Sequence, residues 1–158
     1  MKTLHPFASV LFREIRKMAY FISEECIGCT LCAKSCPVQA IEGAVKQRHV
    51  INPKRCVECG VCGNVCNKAA VLTSTGETAP KTPKSEWKKP VIDEKLCSAC
   101  SMCVSVCGKD VLAISLPKFK GDIHVFAYMA NEKQCVGCGL CASYCPLKAI
   151  TMKAGEVT

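Results

Sequence analysis

The chain has 158 residues, of which 49% are hydrophobic by a count that includes 16 cysteines, only 6% are aromatic, and the formal charge is +8. That length fits one domain or two small ones, and small domains bury too little surface to stand without a staple such as disulfides or bound metal. The apolar runs fall well short of a membrane span.

In chain order, residues 1–17 come first. Leu4, Phe7, Val10, Leu11 and Ile15 recur at helical spacing beside basic residues, which predicts an amphipathic helix. It either packs on its own half of the molecule, docks a partner, or is an extension upstream of a start at Met18. Arg13, Glu14, Arg16 and Lys17 follow the mildly apolar stretch Leu4 to Phe12 at once, without a small-residue cleavage site or a twin-arginine pair. The expectation is a cytoplasmic protein, where cysteines stay reduced and bind metal or do redox work rather than form a disulfide scaffold.

The cysteines fall into four runs: Cys26, Cys29, Cys32, Cys36; Cys56, Cys59, Cys62, Cys66; Cys97, Cys100, Cys103, Cys107; and Cys135, Cys138, Cys141, Cys145. Each reads C-x2-C-x2-C-x3-C. The runs start 30 residues apart in the first pair and 38 in the second, a repeat nested inside a duplication. A short extended segment precedes each run, such as Tyr20-Phe21-Ile22, Val50-Ile51, Val91-Ile92 or Val125-Phe126-Ala127. A turn and a second segment follow each, from Pro37, Asn67, Gly108 and Pro146. With a helical turn at each last cysteine, this predicts paired hairpins around metal. Residues 115–124, containing Pro117 and Gly121, read as an enlarged hairpin loop. Thr73 to Pro90 has linker composition, rich in Pro, Lys, Ser and Thr, with Trp87 as a candidate anchor.

A cubane needs four thiolates converging on its corners, and C-x2-C-x2-C lets one loop supply three of them. Zinc also takes C-x2-C pairs, but it uses them as pairs, whereas these runs come as three plus one. Sixteen ligands divide evenly into four cubanes, leaving no cysteine over and no iron open to substrate. His5, His49 and His124 are scattered and read as surface or packing residues, and Glu24, Glu25 and Glu58 as solvated carboxylates. No Ser/His/Asp set, phosphate loop or dinucleotide fingerprint is present, so the chain is not expected to have an active site of its own. Gly28, Gly60, Gly137 and Gly139 allow the backbone to wrap closely and aim N–H groups at sulfur.

These runs carry a resemblance. Residues 18–72 and 90–153 are each similar to a bacterial 2[4Fe–4S] ferredoxin, in which the fourth cysteine of one run ligates the cluster of the other. The resemblance implies an α+β fold of two tandem ferredoxin-like domains, with short antiparallel hairpins and small helices around four [4Fe–4S] clusters. The expected boundaries are 1–17 for the extension, 18–74 for the first domain, 75–89 for a linker and 90–158 for the second domain. It implies that Cys26, Cys29 and Cys32 share a cluster with Cys66, and Cys56, Cys59 and Cys62 with Cys36. Likewise Cys97, Cys100 and Cys103 would join Cys145, and Cys135, Cys138 and Cys141 would join Cys107. Pro37 and Pro146 follow the family pattern, whereas Asn67 and Gly108 depart from it and are expected to hold their clusters a little differently.

An oxidised cubane with four thiolates carries roughly −2, so four would offset the basic excess by about −8. The basic residues therefore read as compensation for the clusters, and nucleic-acid binding is not expected. The implied function is electron relay in an enzyme complex, since four clusters exceed what a small shuttle needs. Chains of this size and layout are similar to the polyferredoxin subunits of tungsten-containing aldehyde oxidoreductases of anaerobes. That implies a tungstopterin catalytic subunit and a flavin subunit as partners. A freestanding polyferredoxin, a subunit of another anaerobic reductase or hydrogenase, an iron–sulfur regulator, and end-to-end stacking into a wire are the other readings.

Overall fold

The structure, a computed structural model, describes residues 19–154. The expected helix over residues 1–17 lies outside the described residues. The chain divides into two compact units between Lys81 and Thr82.

In the first unit, β1 (Phe21–Ile22) pairs antiparallel with β4 (Val71–Leu72), and β2 (Ile41–Glu42) with β3 (Val50–Ile51). Two short helices, α1 (Leu31–Ser35) and α2 (Val61–Val65), each follow the middle of a cysteine run and pack on one another. The strands alternate as half-buried strands must. Ile22, Ile41, Ile51 and Val71 face inward, while Phe21 and Val50 are exposed. The buried cluster is small, and Cys32, Cys36 and Cys62 are part of it.

The second unit repeats the plan. Strand β5 (Lys89–Ile92) pairs with β8 (Ile150–Lys153), β6 (Leu112–Ile114) pairs with β7 (Ala127–Met129), and the helices are α3 (Met102–Ser105) and α4 (Leu140–Ser143). Its buried cluster again mixes aliphatics with cysteines: Val111, Leu112, Ala127 and Ile150 beside Cys103, Cys135 and Cys141. Few helices and short antiparallel pairs are the α+β elements expected. The fourth extended segment begins two residues later than Val125, at Ala127, with Phe126 just before it accepting from Ser115 N–H at 2.8 Å.

The division between the units falls within residues 75–89. Thr78 bridges to Leu72, and Ala79 is buried with its N–H donating to the Val71 carbonyl at 2.9 Å. From residue 82 on, the chain joins the second unit: Trp87 Nε1 donates to the Thr82 carbonyl at 3.0 Å, and β5 already starts at Lys89. Backbone hydrogen bonds and one small apolar side chain hold residues 78–79 to the first unit, and neither needs a hydrophobic pattern.

Glycine is demanded most strongly at Gly28, with φ +67°, where a methyl would enter the backbone of Lys46 and Gln47. Gly139 has φ +76° but open space around it. Gly139→Ala should therefore cost only about 1–2 kcal/mol, the left-handed penalty. Gly28→Ala adds a steric clash and should cost roughly 3 kcal/mol or more, with loss of bound iron. Thermal unfolding and iron content of the two variants side by side check this ordering.

Candidate metal centres

All four cysteine runs adopt one backbone. Two residues after the first cysteine, φ is positive at Gly28 (67°), Glu58 (51°), Ala99 (53°) and Gly137 (69°). Four residues after it, φ is positive again at Thr30 (64°), Gly60 (75°), Ser101 (63°) and Gly139 (76°), and these are the N-caps of α1 to α4. Three residues after the last cysteine the same happens at Gln39, Ala69, Asp110 and Lys148, with φ between 50° and 52°. Left-handed residues interspersed in a turn tip successive N–H groups toward one concave side, the geometry of an anion nest. Spacing and composition credit glycine alone with this role. Glu58, Ala99, Thr30 and Ser101 do the same at the strain such side chains incur, which persists only where the surroundings over-determine it.

The folded runs bring their cysteines together in sets. Cys26, Cys29 and Cys32 line one recess with Cys66. Cys56, Cys59 and Cys62 line a second with Cys36, and Cys97, Cys100 and Cys103 line a third with Cys145. For Cys135, Cys138 and Cys141 the neighbour is Cys107, whose charge acts on both Cys138 and Cys141. In every set the fourth sulfur comes from the other run of the same unit. All sixteen cysteines are free thiols. Among the described residues no group of His, Cys, Asp or Glu closes on a single ion's position, and sulfurs spaced around a recess suit the corners of a cubane.

Backbone donors reach the sulfurs. Ala40 N–H donates to Cys36 Sγ at 3.3 Å, Val111 N–H to Cys107 Sγ at 3.5 Å, Ala149 N–H to Cys145 Sγ at 3.3 Å and Ala127 N–H to Cys97 Sγ at 3.4 Å. The missing prolines alter the helix exits little. Cys36 before Pro37 leaves α1 at φ −63°, ψ 119°, and Cys66 before Asn67 leaves α2 at φ −77°, ψ 115°.

Of the histidines, His5 lies outside the described residues and His124 is exposed in the 115–124 loop. His49 is 1% exposed and lines the recess of Cys26 and Cys66. Sequence reasoning also missed Tyr20, which lines the Cys56 recess. Its hydroxyl pKa is raised by burial first and then by the neighbouring Cys62 and Glu58. Spacing could not reveal either residue, because both lie outside the runs, each just before a strand.

Two known families match. Residues 19–73 match the 4Fe-4S dicluster domain and residues 128–151 the 4Fe-4S binding domain. The chain carries ferredoxin-type 4Fe–4S domains. Among curated relatives, a subunit of the ion-translocating oxidoreductase complex of Shewanella amazonensis is 44% identical over 46 residues, 29% of this chain and 24% of that protein. The subunit of the same name in Magnetococcus marinus is 60% identical over 35 residues, 22% of this chain and 19% of that one. The match thus spans about a quarter or less of the relatives' length. A solved chain in the formate dehydrogenase, heterodisulfide reductase and formylmethanofuran dehydrogenase complex of Methanospirillum hungatei aligns over 89% of this chain and 54% of its own. The TM-score is 0.42 and the identity 22%, too loose a likeness to carry an argument about function. No helix among the described residues is long and apolar enough to cross a membrane.

The donor chemistry of the ferredoxin domains fits the cluster. Burial pushes the Cys32 thiol up to about 11, and the neighbouring Cys26, Cys29 and Cys66 push the same way. Burial likewise lifts Cys62 and Cys141 to about 12, with Cys59 and Cys138 respectively the leading charged neighbours. Such sulfurs stay protonated at neutral pH until a metal supplies compensating positive charge, so loading iron must expel protons. Anaerobic cluster assembly from ferrous and ferric iron with hydrosulfide at pH 7 to 8 should release about eight protons per cubane, about four from the cysteine thiols and about four from hydrosulfide, read in weak buffer with a pH indicator. Since protons compete with iron, assembly should strengthen as pH rises through this range. Release of only the roughly four hydrosulfide protons would contradict the raised thiol values.

Proposed function

We propose that the chain is an electron relay holding four [4Fe–4S] clusters, two in each of two ferredoxin-like domains, and that it passes low-potential electrons between partner redox subunits. The observation that carries this reading is the recurrence of one cysteine set, three from a loop and one from the opposite run, in both units. On this reading every cysteine is a ligand, with the crossed assignment given above, and none is left for catalysis. The two centres of the first unit would be close neighbours, since α1 packs on α2 and Cys32 raises the Cys62 thiol. That closeness supports hopping from one cluster to the next.

Exchange with partners has a physical outlet. Cys29 and Cys100 are exposed, unlike the other cysteines. Each stands at a recess lip with exposed apolar residues, Ile27 and Leu31 for one and Met102 and Leu147 for the other. Apolar lips beside an accessible cluster edge suit a protein partner. The relatives named above are subunits of a complex, which supports a partner-bound role, while the cytoplasmic location rests on the sequence reading alone. The tungstopterin aldehyde oxidoreductase, with its flavin subunit, rests on the likeness in size and cluster layout. An ion-translocating oxidoreductase is the second reading, favoured by the short high-identity match.

Cysteine variants test the ligation. The anaerobic holoprotein should contain about sixteen iron atoms, and Cys66→Ala should lose roughly a quarter of them. The loss should fall in the same reduced-cluster EPR signal as Cys29→Ala, with the double variant no worse than either single one. Cys66→Ala matching Cys59→Ala instead would mean uncrossed ligation. Native pull-down with metal analysis decides the partner: co-purifying tungsten supports the aldehyde oxidoreductase, and a chain recovered alone that reduces several acceptors supports a freestanding carrier.

A further inference from the structure

His49 is the only buried polar residue among the described residues, and its Nε2 is a buried ring nitrogen without a hydrogen-bond partner. Native interiors rarely leave such an atom unpaired unless something outside the polypeptide satisfies it. The other ring nitrogen is committed. Nδ1 lies 3.1 Å from the Gln47 carbonyl, an acceptor only, so Nδ1 carries a hydrogen and donates it. The ring sits in the recess of Cys26, Cys29, Cys32 and Cys66.

The second unit puts something different at the same point. Register places Ile114 opposite Ala127, and the corresponding step beyond the Glu42 and Val50 pair is Gly43 opposite His49. Gly43 is held small by the ring, since a methyl there would come within 2.8 Å of His49 Cγ. One unit thus fills this space with an imidazole facing a glycine. The other fills it with Ile114 facing an alanine, and both residues of that pair line the Cys97 recess. The two pairs differ in chemistry, one carrying a buried ring nitrogen without a partner and the other only hydrocarbon, so filling space does not account for a histidine.

We propose that His49 donates a hydrogen bond from Nε2 to the cluster held by Cys26, Cys29, Cys32 and Cys66, and thereby raises the reduction potential of that cluster alone. The inference rests on the ligation proposed above. With Nδ1–H already donating to Gln47, a hydrogen on Nε2 gives the ring a second donor, which histidine can present from both nitrogens. A donor directed at the cluster stabilises the reduced state, which carries one more electron. His49 acts on the potential and is a tuning residue, with no bond to iron.

Redox titration of the full holoprotein, followed by EPR, tests this. The relevant signal is the one that Cys66→Ala abolishes. His49→Phe keeps an aromatic ring but no donor, and should lower that midpoint by at least a tenfold change in reduction equilibrium, 59 mV for a one-electron couple. The other three signals should stay in place. His49→Gln, which keeps an amide N–H, should recover part of the shift. An unchanged midpoint in a fully loaded Phe variant overturns the proposal, as does an equal shift in all four signals. Wild-type protein labelled with 15N-histidine provides a check that does not depend on a variant folding. Pulsed EPR on that signal should detect a histidine nitrogen, and its absence overturns the proposal too. A wild-type holoprotein lacking iron or cubane signals would instead overturn the ligation itself.

Discussion

Everything in this molecule turns on a reach problem. A loop of the form C-x2-C-x2-C can curl three sulfurs around one object but has no chain left to supply the fourth, which must come from a segment some thirty residues away. In each unit the two loops resolve this reciprocally, each run's last cysteine standing in the recess of the other. With iron in place, as proposed, neither half of a unit could separate without breaking metal–thiolate bonds. Strands of two to four residues and an aliphatic cluster of a few Ile, Val and Ala side chains are too little to hold such a unit alone, and binding free energy then becomes folding free energy.

The same reach problem explains the backbone. Bringing three sulfurs to one face within seven residues forces the chain through the left-handed region twice per loop and once more after the last cysteine. Glycine fills the first position only in the loops where another segment closes over it. Gly28 lies under Lys46 and Gln47, and Gly137 under Lys88, whose carbonyl a methyl would approach to 2.8 Å. At the same position in the other two loops, Glu58 and Ala99 take up a similar φ. Conformational strain of this kind is tolerated at sites that something else over-determines, and four convergent thiolates would do that.

Legibility in the sequence follows from this division of labour. The cysteine spacing was readable because the chemistry is local: three ligands per loop leave a fixed signature, and the hairpin segments beside it are short, β-rich and periodic. How residues 75–89 are held was not readable, because a buried Ala79 and the Trp87 hydrogen bond to the Thr82 carbonyl leave no repeat in the sequence. The left-handed set at Thr30, Ser101, Gln39 and Asp110 was hidden for a related reason, since only its glycine members announce themselves. His49 was the least visible. Its meaning lies in the pairing with Gly43 across a hairpin, which the sequence separates and the register joins.

Identical ligands and one repeated backbone leave the surroundings to distinguish one centre from another. Cluster potential responds to charge, hydrogen bonds to sulfur and exposure, and the recesses differ in all three. The Cys26 recess holds an imidazole, the Cys56 recess holds the Tyr20 ring, and the Cys97 recess is walled by Ile114, Ala127 and Ile150; the first and third have an exposed cysteine and the second does not. The net basic charge outside acts on all the clusters broadly and is screened by salt, whereas a buried group acts on one cluster and is screened far less. An ordered flow through chemically equal cubanes therefore has to be written in the few non-cysteine side chains that line them, and His49 against Ile114 is where one unit places a polar ring and the other a hydrocarbon.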